Sequence, residues 1–236
     1  MRDSRLRAVF EMLGEAPLIA DIGCDHGYLA AALLRENRSR RVIASDISPS
    51  SCEKAARLAL ELGLTERMKV CTADGLDPLR NEEPPYRIAI SGMGGELIAD
   101  IIEKGRESAE KAELIVMQPM RGEAELRKYL FGKGFGITDE RVVLDCGRYY
   151  QVISARYGFA NEIPEGFPKG FFRFGWVMAQ KKEELLKPLL EHYLAVYEGE
   201  LEKAQKRGKA PERLVDEIRL TRELITFMER NKNAAE

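Results

Sequence analysis

Histidine and paired cysteine are what this chain has least of. Its 236 residues hold two histidines, His26 and His192, far apart, and four cysteines, Cys24, Cys52, Cys71 and Cys146, with no CxxC spacing. That leaves no ligand set for a structural zinc site and no disulfide framework. The thiols are expected to be reduced, in a cytoplasmic protein without a secretory leader. No apolar run approaches the roughly 18 residues that would span a membrane. Positive charge is not in excess either. Against 37 Lys and Arg stand 39 Asp and Glu, for a net charge of −2. Binding nucleic acid by bulk charge is disfavoured, although a local basic face is not excluded. Internal repeats and low-complexity tracts are absent. What remains is ordinary globular material, 44% hydrophobic and 32% charged. A body of about 160 to 180 residues buries roughly 70% of its unfolded surface without staples.

From residue 17 to about 157, short apolar runs alternate with amphipathic stretches. "PLIADIG" (17–23), "RVIASD" (41–46), "MKVCTAD" (68–74), "RIAISG" (87–92) and "AELIVMQP" (112–119) read as strands. Between them "YLAAALLREN" (28–37), "SPSSCEKAARLALELGL" (48–64) and "GELIADIIEKGRESA" (95–109) read as helices, and "GEAELRKYLFGKGF" (122–135) follows the last. Ser48 and Pro49 suit a cap and a first helical turn. The alternation predicts a parallel sheet covered on both faces. "ITDERVVLD" and "RYYQVISARYG" then flank Cys146-Gly147 with no room for a helix. That is an antiparallel hairpin closing an otherwise parallel sheet, the order expected of a Rossmann-like class I methyltransferase sheet. The pattern assigns residues 1–160 to this domain and 161–179, a Gly/Pro/aromatic stretch, to a linker. Residues 180–236 form a helical hairpin, with Leu186, Leu190, Tyr193 and Tyr197 on one stripe and Leu214, Ile218, Ile225 and Met228 on the other. Pro188 predicts a break or a helix start.

The chemistry concentrates in "ADIGCDHGYLAAALL" (20–34). A strand-to-helix turn brings unpaired N–H groups to the carboxyl edge of the sheet, and Gly23 and Gly27 allow close backbone approach. The pattern is Asp-x-Gly-x-x-x-Gly, not the Gly-x-Gly-x-x-Gly that suits a pyrophosphate. Asp21 and Asp25 would repel a diphosphate but suit the positive amino acid end of S-adenosyl-L-methionine. Asp46 ends the second strand, where a carboxylate accepts from a ribose diol. Asp74 ends the third, where it accepts from an adenine amino group with Ala73 beside it. "EEPPYR" (82–87) precedes the fourth strand, at the wrong end for a base-gripping Pro-Pro-Tyr, and reads as a loop. "SGMGGE" (91–96) follows that strand, and its glycines leave room for a flat ring.

"ADIGCDHGYLA", "SDISP", "TADGLDPL", "ISGMGGELI", "IVMQPM", "GRYYQVI" and the helical tail together resemble the TrmK family, bacterial methyltransferases acting on N1 of adenine 22 in the tRNA D-arm. The resemblance covers nearly the whole chain and implies a Rossmann-like catalytic domain with a coiled-coil-like helical domain. It places Asp21, Gly23, Asp25, His26, Gly27, Asp46 and Asp74 on the cofactor side and Gly92 to Gly95, with Met93, where cofactor and target base meet; Tyr28, Ile47, Ala73 and Gly75 are further cofactor-binding candidates. Asp25 and His26 become the catalytic candidates, with Arg5, Arg7, Ser91, Gly94, Gly95 and Gln118 toward the RNA. It implies S-adenosyl-L-methionine as cofactor, tRNA as partner, and no metal or membrane.

The tail is electrically balanced, so local clusters are the sources of RNA-facing charge: "RDSRLR" (2–7), "RENRSRR" (35–41) and "KAQKRGK" (203–209). The second is placed at the amino edge, away from the site. A small-molecule methyltransferase using the tail as lid or dimer arm is the alternative, and a non-catalytic cofactor-binding module is a third reading.

Overall fold

The computed structural model describes residues 3–163, 166–168 and 170–233. They divide into two compact units, up to Asn161 and from Glu162.

In the first unit, helix α1 (Ser4–Leu13) opens on Asp3, whose carboxylate accepts from the N–H groups of Arg5 and Leu6 at 2.9 and 3.2 Å, satisfying two orphan donors of the first turn. Strand β1 (Ala16–Ile22), α2 (Tyr28–Arg35), β2 (Ser39–Asp46), α3 (Pro49–Glu61) and β3 (Met68–Thr72) follow. The Ser48 cap and Pro49 open α3 as expected. Then come β4 (Tyr86–Gly94), α4 (Gly95–Lys104), α5 (Arg106–Lys111), β5 (Leu114–Arg121), α6 (Glu123–Gly132), β6 (Phe135–Asp145) and β7 (Arg148–Tyr157). The order is β3-β2-β1-β4-β5-β7-β6, with β1 to β5 parallel and β7 antiparallel to both neighbours. Ile19, Ile43, Ala89, Ile90 and Val116 are fully buried. Such unbroken apolar runs are what a sheet covered on both faces requires.

Three departures from the sequence expectation have local causes. The helix expected over 95–109 breaks at Gly105, where a Cβ would lie 2.5 Å from the Leu76 side chain, so only glycine admits the contact. "SGMGG" is not a free loop but a bulged extension of β4. The pairing with β5 shifts register between Ser91 and Met93, at Gly92 with φ +78°. Tyr86 of "EEPPYR" is a core residue, fully buried with its hydroxyl donating to the Ser108 carbonyl at 2.7 Å. The β6–β7 hairpin turns on Cys146 and Gly147, both at positive φ (46° and 77°), as a two-residue turn matched to strand twist demands. Beneath α6, Arg127 donates to Glu140 and to Gln151, both at 2.6 Å, and all three side chains are buried.

In the second unit, the stretch expected as a linker is packed. It carries α7 (Phe171–Phe174) and α8 (Trp176–Gln180), with Phe174, Trp176 and Met178 buried, and its residues 164, 165 and 169 lie outside the described set. Phe167 meets Phe227 edge-on at 4.8 Å, and Phe174 meets Tyr193 at 5.7 Å. Helices α9 (Leu186–Gln205) and α10 (Glu212–Asn233) run antiparallel, because Lys187 pairs with Glu229 while Glu198 pairs with Arg222. Pro188 sits in the first turn of α9, where its missing N–H costs nothing. The α9 stripe buries Leu186, Leu190 and Tyr197. On α10 it runs through Ile218, Thr221 and Leu224, displaced from the expected Ile225 and Met228, which are half-buried. The Thr221 hydroxyl is accommodated by donating to the Glu217 carbonyl at 2.7 Å. Among the described residues no helix is long and apolar enough to cross a membrane.

Candidate active site

The carboxyl ends of β1, β4 and β5 open onto a cavity of about 320 Å³. Its wall holds Arg5, Asp21, Gly23, Asp25, His26 and Tyr28 of the expected residues, together with Ser91, Gly92 and Gln118. Asp3, Leu6, Cys24 and Leu29 also line it and were not foreseen. Of these, Asp3 carried a readable signal, an N-cap residue before an apolar-periodic run. Cys24 did not, and it is no nucleophile: burial, with the Asp21 charge adding, pushes its thiol pKa up.

Asp21 is the unusual group. It is 2% exposed, the backbone of Ala30 hydrogen-bonds it, and its Oδ2 has no partner. Burial pushes its pKa up to about 7 against that hydrogen bond, and the negative charge of Asp46 adds to the rise. Such an oxygen on a cavity wall could accept from a donor carried by a ligand.

The turn is otherwise self-contained, which corrects one expectation. The N–H groups of Gly23 and Cys24 both donate to the Ser45 carbonyl (2.8 and 3.0 Å), that of Gly27 to Cys24 (2.7 Å), and that of Asp25 to Asp46 Oδ2 (3.1 Å). These amides are engaged, so the turn offers carboxylates rather than a nest of bare N–H groups. A Cβ on Gly27 would meet Met68 and Ala55, so its bareness serves the packing of α2 on α3 and β3. Gly23 faces the site, but a Cβ would lie 1.9 Å from the Met93 Cε, so the thioether now covers it. Met93 is unbranched and able to swing aside.

Asp46 also accepts from the Ser48 N–H through its other oxygen at 2.9 Å, fixing the carboxylate at the end of β2. Ile47 beside it is 72% exposed, a bare apolar face at the same edge. Ala73 donates its N–H to the Asp46 carbonyl at 3.0 Å, joining the end of β3 to this ridge. Asp74 is exposed there, 3.8 Å from Lys104 Nζ, and Gly75 follows at φ +50°. These five residues lie outside the cavity wall, along the neighbouring strand ends.

Asp25, at φ +46°, and His26 form a loose pair, Oδ2 to Nε2 3.7 Å, with most of the Asp25 carboxylate in solvent. The His26 and Tyr28 rings stack nearly parallel with centroids 5.4 Å apart, and Tyr28 is 57% exposed. Elsewhere on the wall Arg5 is held by Asp3 at 2.6 Å and by the Met120 sulfur at 3.1 Å, with its guanidinium 5.0 Å over the Tyr150 ring. Burial alone would raise the Asp3 carboxyl, but Arg5 and the α1 amides outweigh it and hold it low. Gln118 is buried, donating to the Pro119 carbonyl at 2.7 Å. Arg7 is exposed and not part of the wall, and Arg2 of the same cluster lies outside the described residues. Where β4 passes into α4, Gly92 faces open space and Gly94 has only Arg121 nearby, whereas Gly95 is closed off. A Cβ on Gly95 would lie 2.1 Å from the Gly122 carbonyl, so that glycine seats α4 rather than a base.

A family profile described as a methyltransferase domain matches residues 2–153, which span every residue of this cavity. The chain belongs to the methyltransferase domain family. The Bacillus subtilis tRNA (adenine(22)-N1)-methyltransferase is 29% identical over 229 residues, 94% of this chain and 95% of its own. A Streptococcus pneumoniae protein crystallised with S-adenosyl-L-methionine superposes with TM-score 0.82 at 26% identity, covering 95% of this chain and 99% of that one. The crystal structure of the Bacillus subtilis tRNA methyltransferase TrmK gives 0.81 at 25% identity, covering 94% and 98%.

Proposed function

We propose that this methyltransferase uses S-adenosyl-L-methionine to methylate N1 of adenine 22 in the tRNA D-arm. The observation that carries the reading is that the likeness to the tRNA enzyme runs through 94% of the chain, into the second unit, and does not stop with the catalytic sheet.

The residues fit that cofactor. Asp21, with a buried oxygen lacking a donor, takes the α-ammonium. Asp46, already oriented by two backbone N–H groups, keeps lone pairs for the ribose hydroxyls. Ile47 offers its exposed apolar face to the adenine ring, with Ala73, Asp74 and Gly75 along the same ridge. Gly23, Tyr28, Gly92 and Met93 border the remainder. Bound there, the cofactor supplies a methyl group activated on a sulfonium.

Adenine N1 carries an in-plane lone pair and no proton, so no general base is required. The protein's task is alignment, with near-attack distances of about 3 to 3.5 Å. Asp25 places a carboxylate at the mouth, where it favours the positive charge that methylation leaves on the ring, and His26 steadies it. Ser91, Gly94 and Gln118 border the space for the base, and Arg5 and Arg7 stand on the RNA side. Reaching N1 in folded tRNA means extruding the base at a cost of a few kcal/mol, which phosphate contacts help offset. The second unit grips or orients the tRNA, and a tRNA substrate places the enzyme in the cytoplasm.

The test is incubation with labelled S-adenosyl-L-methionine and unmodified tRNA, followed by reverse-transcription mapping. A stop at adenine 22 that disappears when guanine replaces it supports the reading. Cofactor binding with no methylation across a broad tRNA pool overturns it in favour of a small-molecule substrate. Truncation after Asn161 should weaken tRNA binding more than cofactor binding.

A further inference from the structure

Two arginines of "RENRSRR", Arg38 and Arg40, line a cleft of their own, apart from the cofactor cavity. At the amino edge of the sheet, Glu15, Asn37, Arg38, Ser39, Arg40 and Arg67 line a cleft of about 420 Å³ together with Ala16 and Pro17. Ala16 begins β1 and Asp21 stands near its end, so the cleft lies about 17 Å of strand from the cofactor cavity.

Three guanidinium groups face one carboxylate here, a formal excess of two positive charges on a chain whose net charge is −2. Arg67, arriving from the loop before β3, donates through Nε to the Arg40 carbonyl at 3.0 Å and through Nη2 to the Ser39 carbonyl at 2.8 Å. Those bonds lock its plane without neutralising its charge. Arg38 lies 5.4 Å over the Phe10 ring, and its Nη1 is 3.7 Å from Glu15, a carboxylate largely in solvent and therefore weakly compensating. Arg40 makes no ion pair among the described residues. The negative end of α2 accounts for cations at its own C-terminus. It does not account for Arg67, which reaches the cleft from another part of the chain.

We propose that this cleft binds a phosphate group, using the planar forks of Arg38, Arg40 and Arg67. Guanidinium groups match phosphate oxygens in shape and charge, and a fork already oriented by backbone carbonyls loses little freedom on binding. The phosphate has two sources of the same chemistry, the backbone of an RNA bound at the other edge or a free polyphosphate. Only the first rests on the tRNA reading.

The experiment compares the full-length protein with the double variant Arg38→Gln/Arg40→Gln, leaving Arg67 in its structural bonds, and with Arg35→Gln as a charge control outside the cleft. Calorimetric titration with sodium tripolyphosphate should show binding that the double variant weakens about tenfold or more, while Arg35→Gln matches the parent. Titration of unmodified tRNA over a salt series separates the sources. A loss of affinity in the double variant, with the slope of log K against log salt reduced by about 1 to 2, identifies the RNA backbone. An unchanged tRNA slope with weakened tripolyphosphate binding identifies a free polyphosphate. If neither ligand distinguishes the double variant from the parent, or if Arg35→Gln has the same effect, the proposal fails. The tripolyphosphate arm stands whatever RNA the enzyme modifies.

Discussion

Two of the buried ionisable sites in the first unit are treated in opposite ways. Beneath α6, Arg127 is fully enclosed with Glu140 and Gln151, its charge paired and its donors satisfied. At the end of β1, Asp21 is equally enclosed but has one oxygen without a donor. Completion is what a structural network needs, since a half-satisfied one destabilises the fold. On a cavity wall, under the function proposed above, the missing partner would come with the cofactor. The difference separates the two groups more sharply than burial does.

Removing one side of each arrangement tests this contrast. Arg127→Met should have the largest effect on stability, about 3 to 5 kcal/mol, because it leaves the Glu140 carboxylate buried without its cation. Urea denaturation of the two proteins measures it, and a loss under about 1 kcal/mol would erase the contrast. Asp21→Asn should do the reverse. It keeps the shape and removes the ionisable carboxyl, so the fold is retained or gains stability. Affinity for S-adenosylhomocysteine should fall about 10- to 100-fold, the scale of a hydrogen bond to a charged group, measured by calorimetry.

The same carboxyl carries the pH dependence. Its folded pKa, about 7, stands above its ordinary value of 3.8, so the folded state favours the protonated acid. Below about pH 4 both states hold the proton and no penalty exists. Between pH 4 and 7 stability relative to Asp21→Asn should decline, reaching a plateau above pH 7 of up to about 4 kcal/mol. Under the proposed cofactor reading, affinity should move the other way, rising through pH 7 as the carboxylate forms. A stability difference between the two proteins that is flat from pH 5 to 8 would break the assignment. Asp46→Ala should weaken cofactor binding with the fold intact, and unchanged affinity would remove it from the ribose site. The smallest effect belongs to the hairpin. Cys146 is at φ +46°, a conformation asparagine tolerates better, so Cys146→Asn should stabilise by about 0.5 kcal/mol in the same urea assay.

Much of this fold was legible in order and pattern. The alternation of apolar runs with amphipathic stretches determined the parallel core, and Cys146-Gly147 between two strands determined the hairpin, because both depend on local periodicity and turn chemistry. So did the acidic residues at successive strand ends. What the sequence could not resolve was which groups face one another. Gly23, Gly27, Gly92 and Gly95 read alike as bare positions, yet Gly27 and Gly95 are closed by Ala55 and by the Gly122 carbonyl, while Gly92 is open. Arg5 and Arg7 are two residues apart, and only Arg5 reaches the cavity, since residues two apart on a helix point in different directions. Arg67 joins Arg38 and Arg40 only through the pairing of β3 with β2. The sequence by itself determined the sheet, its closing hairpin and the acidic edge. Tertiary structure alone decided which glycines are doorways, which arginines converge and which buried charge lacks a partner, because those depend on contacts between segments far apart in the chain.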